Sequence, residues 1–69
     1  MSVKDLKIKL RTARINANLT LQKVASKTGY STAQLSNWEN GLKIDKADLK
    51  KLCKLYKIDE KNVVANIKD

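Results

Sequence analysis

Proline does not occur in this 69-residue chain, and glycine occurs only at Gly29 and Gly41. These two residue types punctuate chains most strongly, proline by breaking helices and glycine by supplying turns. So few of them leave two obvious places to stop a helix and little of the chemistry of tight hairpins. No run alternates apolar and polar residues with period two, so no strand is expected. The chain reads as all-α, with helices joined by short turns.

Apolar spacing and capping signals divide it into five helices. Ser2 with Asp5 reads as a capping box that opens helix 1. Val3, Leu6, Leu10, Ala13 and Ala17 recur at three- and four-residue steps on one face, and the helix ends near Asn16 to Asn18. Thr20 is the N-cap of helix 2, whose buried stripe is Leu21, Val24 and Ala25, and Gly29 ends it. Ser31 with Gln34 opens helix 3, from about Thr32 to Asn40, with Leu35 and Trp38 inside and Gly41 at its close. Asp45 with Asp48 repeats the capping signal for helix 4. Its core face is Leu49, Leu52, Cys53 and Tyr56, and Lys50, Lys51, Lys54 and Lys57 form its wet face. Asp59 caps a last short helix containing Val63, Val64 and Ile67. There are no internal repeats and no linker, so residues 1–69 are expected to form a single domain.

Charge narrows the function. Fifteen Lys+Arg against seven Asp+Glu give a formal net charge of +8, which points to a polyanionic partner. The basic residues are spread along the chain, unlike a disordered basic arm. There is no histidine and a single cysteine, Cys53, so neither an intrachain disulfide nor an ordinary zinc site can be built. Without histidine, a carboxylate cluster or a base beside a nucleophile, catalysis is not expected. Nor are a cofactor, a metal or a membrane-spanning segment. The interruptions at Gly29 and Gly41 argue against a continuous cationic helix lying on a membrane.

Within this basic chain, the stretch VASKTGYSTAQLSNWENG, Val24 to Gly41, is nearly uncharged. Two short helices around a glycine turn, TGYS at Thr28 to Ser31, make a helix-turn-helix. Small Ala25 and Gly29 are read as letting the two helices approach, Gly29 with positive φ. Short neutral side chains bind phosphate poorly and suit a groove whose walls are held by other residues.

The longer segment LTLQKVASKTGYSTAQLSNWENG, Leu19 to Gly41, resembles the DNA-binding helix-turn-helix of the Xre family, which includes the lambdoid phage repressors and Cro proteins. The Val24-Ala25 pair, Gly29, and the ending Leu35, Trp38, Glu39, Asn40, Gly41 carry the likeness. LKKLCKLYKIDEKNVV, Leu49 to Val64, resembles the family's fourth and fifth helices. Leu21 stands where the family often has a phosphate-binding glutamine, so Gln22 is the nearest substitute. Asp45 begins helix 4 where a proline is common, and the loop Leu42 to Ile44 is compact. The resemblance implies a compact five-helix bundle of the lambda-repressor-like type, with helices 2 and 3 forming the motif.

It also implies roles. Helix 3 would enter the major groove, with Thr32, Ala33 and Asn37 at the base-facing positions and Ser31, Gln34 and Ser36 beside them. Gln34 and Asn37 offer a donor and an acceptor each, as adenine's edge requires, and Ala33 or the Thr32 methyl suits a thymine methyl. The backbone-contacting rim would comprise Thr20, Gln22, Lys27, Tyr30, Asn40, Lys43, Lys46 and Arg14. Arg14 and Glu39 match a structural ion pair joining helix 1 to the end of helix 3. Taken singly, each rim lysine is also an ordinary solvated charge, and Tyr30 also suits packing. The implied protein is a cytoplasmic, Cro-like or repressor-like transcription regulator, nucleoid-associated when bound. It would read near-palindromic operator DNA as a homodimer joined through its C-terminal region, around Ile58 to Ile67. No small-molecule ligand is expected. The alternative is an antitoxin-like protein-interaction module of the same fold, and an excised part of a longer repressor is a further possibility.

Overall fold

The computed structural model describes residues 7–68. They form four α-helices rather than five: α1 (Leu10–Asn16), α2 (Leu21–Thr28), α3 (Thr32–Glu39) and α4 (Lys46–Tyr56). Two two-residue strands, β1 (Ile8–Lys9) and β2 (Val63–Val64), pair in parallel, with Ile8 opposite Val63 and Lys9 opposite Val64. The chain is thus mostly helical, and the expectation of no strand is corrected.

Both strands replace expected helix. Helix 1 begins at Leu10, because Ile8–Lys9 is extended and takes its partner from the far end of the chain. The Ser2–Asp5 capping box, with Val3 and Leu6, lies outside the described residues. At the other end, the Asp59 carboxylate accepts from the Lys61 N–H at 3.0 Å, but the helix it caps is one 3-10 turn, Glu60–Asn62. Val63 and Val64 then continue as strand. They are β-branched, and one side chain is buried while the next is 55 % exposed, the alternation that a strand produces and a helix does not. Beyond them Ile67 makes a parallel bridge with Ile44. There the Ile44 N–H donates to the Asn66 carbonyl at 2.7 Å, and the Lys68 N–H to the Ile44 carbonyl at 2.9 Å.

The middle of the chain follows local signals. Thr20 Oγ1 accepts from the Lys23 N–H at 3.1 Å, capping α2. Ser31 Oγ accepts from the Gln34 N–H at 3.0 Å, capping α3. Each removes an unpaired donor from a helix start. Asp45 occupies the N-cap of α4 in an extended conformation, but its side chain makes no capping bond. Gly29 ends α2 at φ +86°, and its N–H donates to the Ala25 carbonyl at 2.8 Å. A Cβ at Gly29 would meet nothing within 4 Å, so glycine is required by the left-handed backbone and not by helix approach, which corrects the steric reading.

The core comprises Leu10 and Ala13 of α1, Val24 of α2, Leu35 and Trp38 of α3, and Leu49, Leu52, Cys53 and Tyr56 of α4, with Ile44 and Val63 from the loop and strand. Leu21, Ala25 and Ala17 are partly buried against it. Among the described residues no helix is long and apolar enough to cross a membrane.

Candidate nucleic-acid interface

The geometry of α3 separates two tasks. Leu35 and Trp38 are buried on one side. At about 100° per residue, Thr32, Ser36, Ala33 and Asn37 occupy the other side within an arc of about 140°. Thr32, Ala33, Gln34 and Asn37 are exposed, as is Ser31 at the cap, while Ser36 is half-buried and accepts from Asn40 Nδ2 at 3.5 Å. The face carries no charge. The N–H groups of the first turn beyond the Ser31 cap lack helical acceptors, as in any helix, and add a donor-rich, partly positive end. Thr20, Gln22, Lys27, Asn40, Lys43 and Lys46 are all exposed.

The turn before α3 is fastened to α4 through Tyr30. The Tyr30 hydroxyl donates to Asp48 Oδ1 at 2.7 Å. Its ring meets Trp38 edge-on, with centroids 4.9 Å apart and planes at 84°. Lys51 Nζ lies 5.2 Å from the ring centroid and donates to the Thr28 carbonyl at 3.3 Å. The Tyr30 N–H in turn reaches Thr28 Oγ1 at 3.3 Å, and that hydroxyl donates to the Val24 carbonyl at 2.6 Å. Burial pushes the phenol up to about 12, helped by the hydrogen bond to Asp48 and that carboxylate's charge. The single proton of the Tyr30 hydroxyl is therefore committed within the fold. Asp48 and Lys51 are supports that the sequence reading missed, having placed Asp48 in a cap and Lys51 on the wet face. They stand three residues apart on α4, so one side of one turn presents both to Tyr30.

Arg14 joins three segments. Its Nε donates to Glu39 Oε2 at 2.8 Å, Nη2 to Glu39 Oε1 at 3.4 Å, and Nη1 to the Leu19 carbonyl at 2.8 Å. The side chains are only 12 % and 10 % exposed. The fork geometry of guanidinium makes this two-point contact possible, and lysine could not reproduce it. Three of the five guanidinium N–H groups thus hold α1, the loop before α2 and the end of α3 together. The Leu19 carbonyl, at the residue following left-handed Asn18 (φ 60°), is a partner that no side-chain pattern discloses.

Among the described residues no group of three or more His, Cys, Asp or Glu is placed to hold a metal ion. Cys53 is a buried free thiol, raised to about 11 by burial and by the charges of Glu60 and Asp59. That places it with the core, away from reactive thiols.

A family model described as Helix-turn-helix matches residues 10–61, about three quarters of the chain. No curated protein and no solved structure matches. The match spans α1 through the 3-10 turn and so includes the capped α2–α3 pair, the Tyr30 fastening and the Arg14–Glu39 tie. The chain belongs to the helix-turn-helix family and carries a DNA-binding domain of the Xre and lambda-repressor type.

Proposed function

We propose that this protein is a sequence-specific transcription regulator that reads operator DNA in the major groove with α3, in the manner of Cro proteins and repressors. The observation that carries the reading is the uncharged outer face of α3 in a chain of net charge +8, with exposed lysines in α2 and in the segment that follows α3. Neutral amides and hydroxyls discriminate among base edges, whereas lysine holds any duplex by its phosphates. Thr32, Ala33 and Asn37 are the base readers, with Ser31, Gln34 and Ser36 beside them. Lys27, Lys43, Lys46, Thr20, Gln22 and Asn40 form the rim. Arg14 has two N–H groups beyond its internal contacts to offer a phosphate, while Tyr30 serves by holding the turn.

A domain this small reads few base pairs, so two copies on a near-palindrome, with half-sites about 34 Å apart, supply the missing specificity. Val64 and Ile67, 55 % and 43 % exposed, support the C-terminal region as the place where copies meet. The working compartment of such a regulator is the cytoplasm.

Selection of bound duplexes from a random pool, followed by affinity measurement over a range of salt, tests this reading. Asn37→Ala is expected to lower the preference for the selected duplex over scrambled duplex by about five- to a hundredfold. Lys43→Ala is expected to weaken both alike and flatten the salt slope by about one. Equal effects of the two substitutions on every duplex would overturn the division between readers and rim.

A further inference from the structure

Much of the positive charge has no place beside α3. Along α4, Lys50 and Lys54 stand four residues apart, and Lys57 follows at the C-cap. At about 100° per residue Lys50 and Lys54 lie about 40° apart on one face, and left-handed Lys57 (φ 58°) ends the row where the helical turn stops. All are exposed, and the one ion pair among the described residues is Arg14–Glu39. Glu60 borders Lys46 and Lys61, outside the row, without forming such a pair. The midpoint of Lys50 and Lys54 lies about 130° around the helix from the buried face, and about 110° from the Asp48–Lys51 flank that meets Tyr30 and Thr28. It is therefore directed neither into the core nor towards the turn that leads into α3.

Like charges four apart on a helix repel, so this row weakens α4 unless a polyanion faces it. Its length, about 10 Å at 1.5 Å per residue, matches the rise along the duplex axis over about three phosphates of one strand at 3.4 Å each. The apolar face of α4 is buried in the core, so no wedge remains to enter a lipid surface. Nor does α4 present a large exposed apolar side chain to anchor an acidic protein; those lie at Ile15, Leu42, Val64 and Ile67. A ligand held by charge alone is the one that fits.

We infer that the Lys50–Lys57 row docks the phosphate backbone of a second duplex segment, without sequence preference, while α3 lies in the groove of the first. The inference rests on the reading of α3 given above. Two such surfaces let the protein pass from one DNA segment to another without leaving DNA.

The test uses the full chain and the duplex recovered from the random pool, fixed to beads. Wild-type protein is bound, excess is washed away, and a fluorescent 30-bp scrambled duplex is added. Wild type is expected to retain the second duplex with a salt slope near −2.7, about 0.9 for each of three lysines. K50Q/K54Q/K57Q is expected to hold the fixed duplex within about threefold of wild type and to lose the second by tenfold or more. K50R/K54R/K57R, which keeps the charge, is expected to restore it. Circular dichroism of both variants establishes that they are folded. If wild type does not hold the fixed duplex, the reading of α3 fails. If it holds the fixed duplex and not the second, the inference about α4 fails alone. A glutamine variant that keeps the second duplex overturns it in favour of a second copy's α3. Displacement of the second duplex by phosphatidylglycerol vesicles and not by unlabelled duplex overturns it in favour of lipid.

Discussion

Between Thr20 and Gly41 each helix end is closed by a neighbour a few residues away: Thr20 by the Lys23 N–H, Gly29 by the Ala25 carbonyl, Ser31 by the Gln34 N–H. Around the strands the partners are distant. Ile8 pairs with Val63, Ile44 with Ile67, and Asn66 Nδ2 donates to the Gly41 carbonyl. The first region bears the residues proposed to read bases and sets their conformation locally. The second adds backbone pairing and two core residues, Ile44 and Val63, and closes the molecule around the first. Locally capped helices can nucleate early, whereas the distant pairing incurs loop-closure entropy before it contributes. Trp38, buried in the core and lining one cleft with Lys9, Val64 and Asn66, is the junction between them, beside the Asn66–Gly41 bond, while Tyr30 and the Arg14–Glu39 pair tie the first region to α4 and α1.

The largest disturbance should come from removing that junction. Trp38→Ala is expected to cost about 3–5 kcal/mol, a large share of a small domain's stability. Urea unfolding would show it as a midpoint shift with loss of the Tyr30 contact. A cost below about 1 kcal/mol would mean that the two regions are fastened elsewhere.

Next comes the ion pair. Glu39→Ala leaves a nearly buried guanidinium with only the Leu19 carbonyl, at an expected cost of about 1–3 kcal/mol, as for a group left short of a partner. The double variant Arg14→Leu with Glu39→Leu is expected to cost less than the worse single one, because no uncompensated charge remains. Additive costs in a double-mutant cycle would show that the two side chains act independently.

Asn66→Ala sharpens the contrast between the regions. Loss of its bond to the Gly41 carbonyl should cost about 1 kcal/mol. Amide exchange should quicken at Ile44 and Lys68 while α3 keeps its protection. Equal loss of protection in both regions would show that they open as one unit.

The smallest effect is a titration. Tyr30 and Tyr56 are both held up to about 12 from 10, chiefly by burial, with Asp48 adding for Tyr30 and Glu39 for Tyr56. The native state therefore keeps its phenol protons longer than the unfolded chain. The associated stability is complete below pH 10 and declines as pH rises from about 10 towards 12. Absorbance at 295 nm should show little phenolate in the folded protein at pH 10, and Tyr30→Phe should reduce the loss of stability over that interval. Ordinary ionisation near pH 10 without unfolding would remove the Tyr30–Asp48 bond from the account of the turn.

Amino-acid order alone determined the capped helices of the middle region, because their signals act within one turn of chain. Thr20, Gly29 and Ser31 announce helix ends, and the three- and four-residue spacing of Leu35 and Trp38, or of Leu49, Leu52, Cys53 and Tyr56, announces buried faces. Only the tertiary structure decided the fates of Ile8–Lys9, Ile44 and Val63–Val64. Each is a one- or two-residue piece, too short to display a period, and its extended form depends on a partner brought near by folding. The same holds for Asp48, whose spacing to Asp45 reads as a cap but whose carboxylate is claimed by Tyr30 from another element. Local chemistry specifies a conformation when the competing partner is a neighbour; when it is distant, packing settles which of two satisfactory bonds is made.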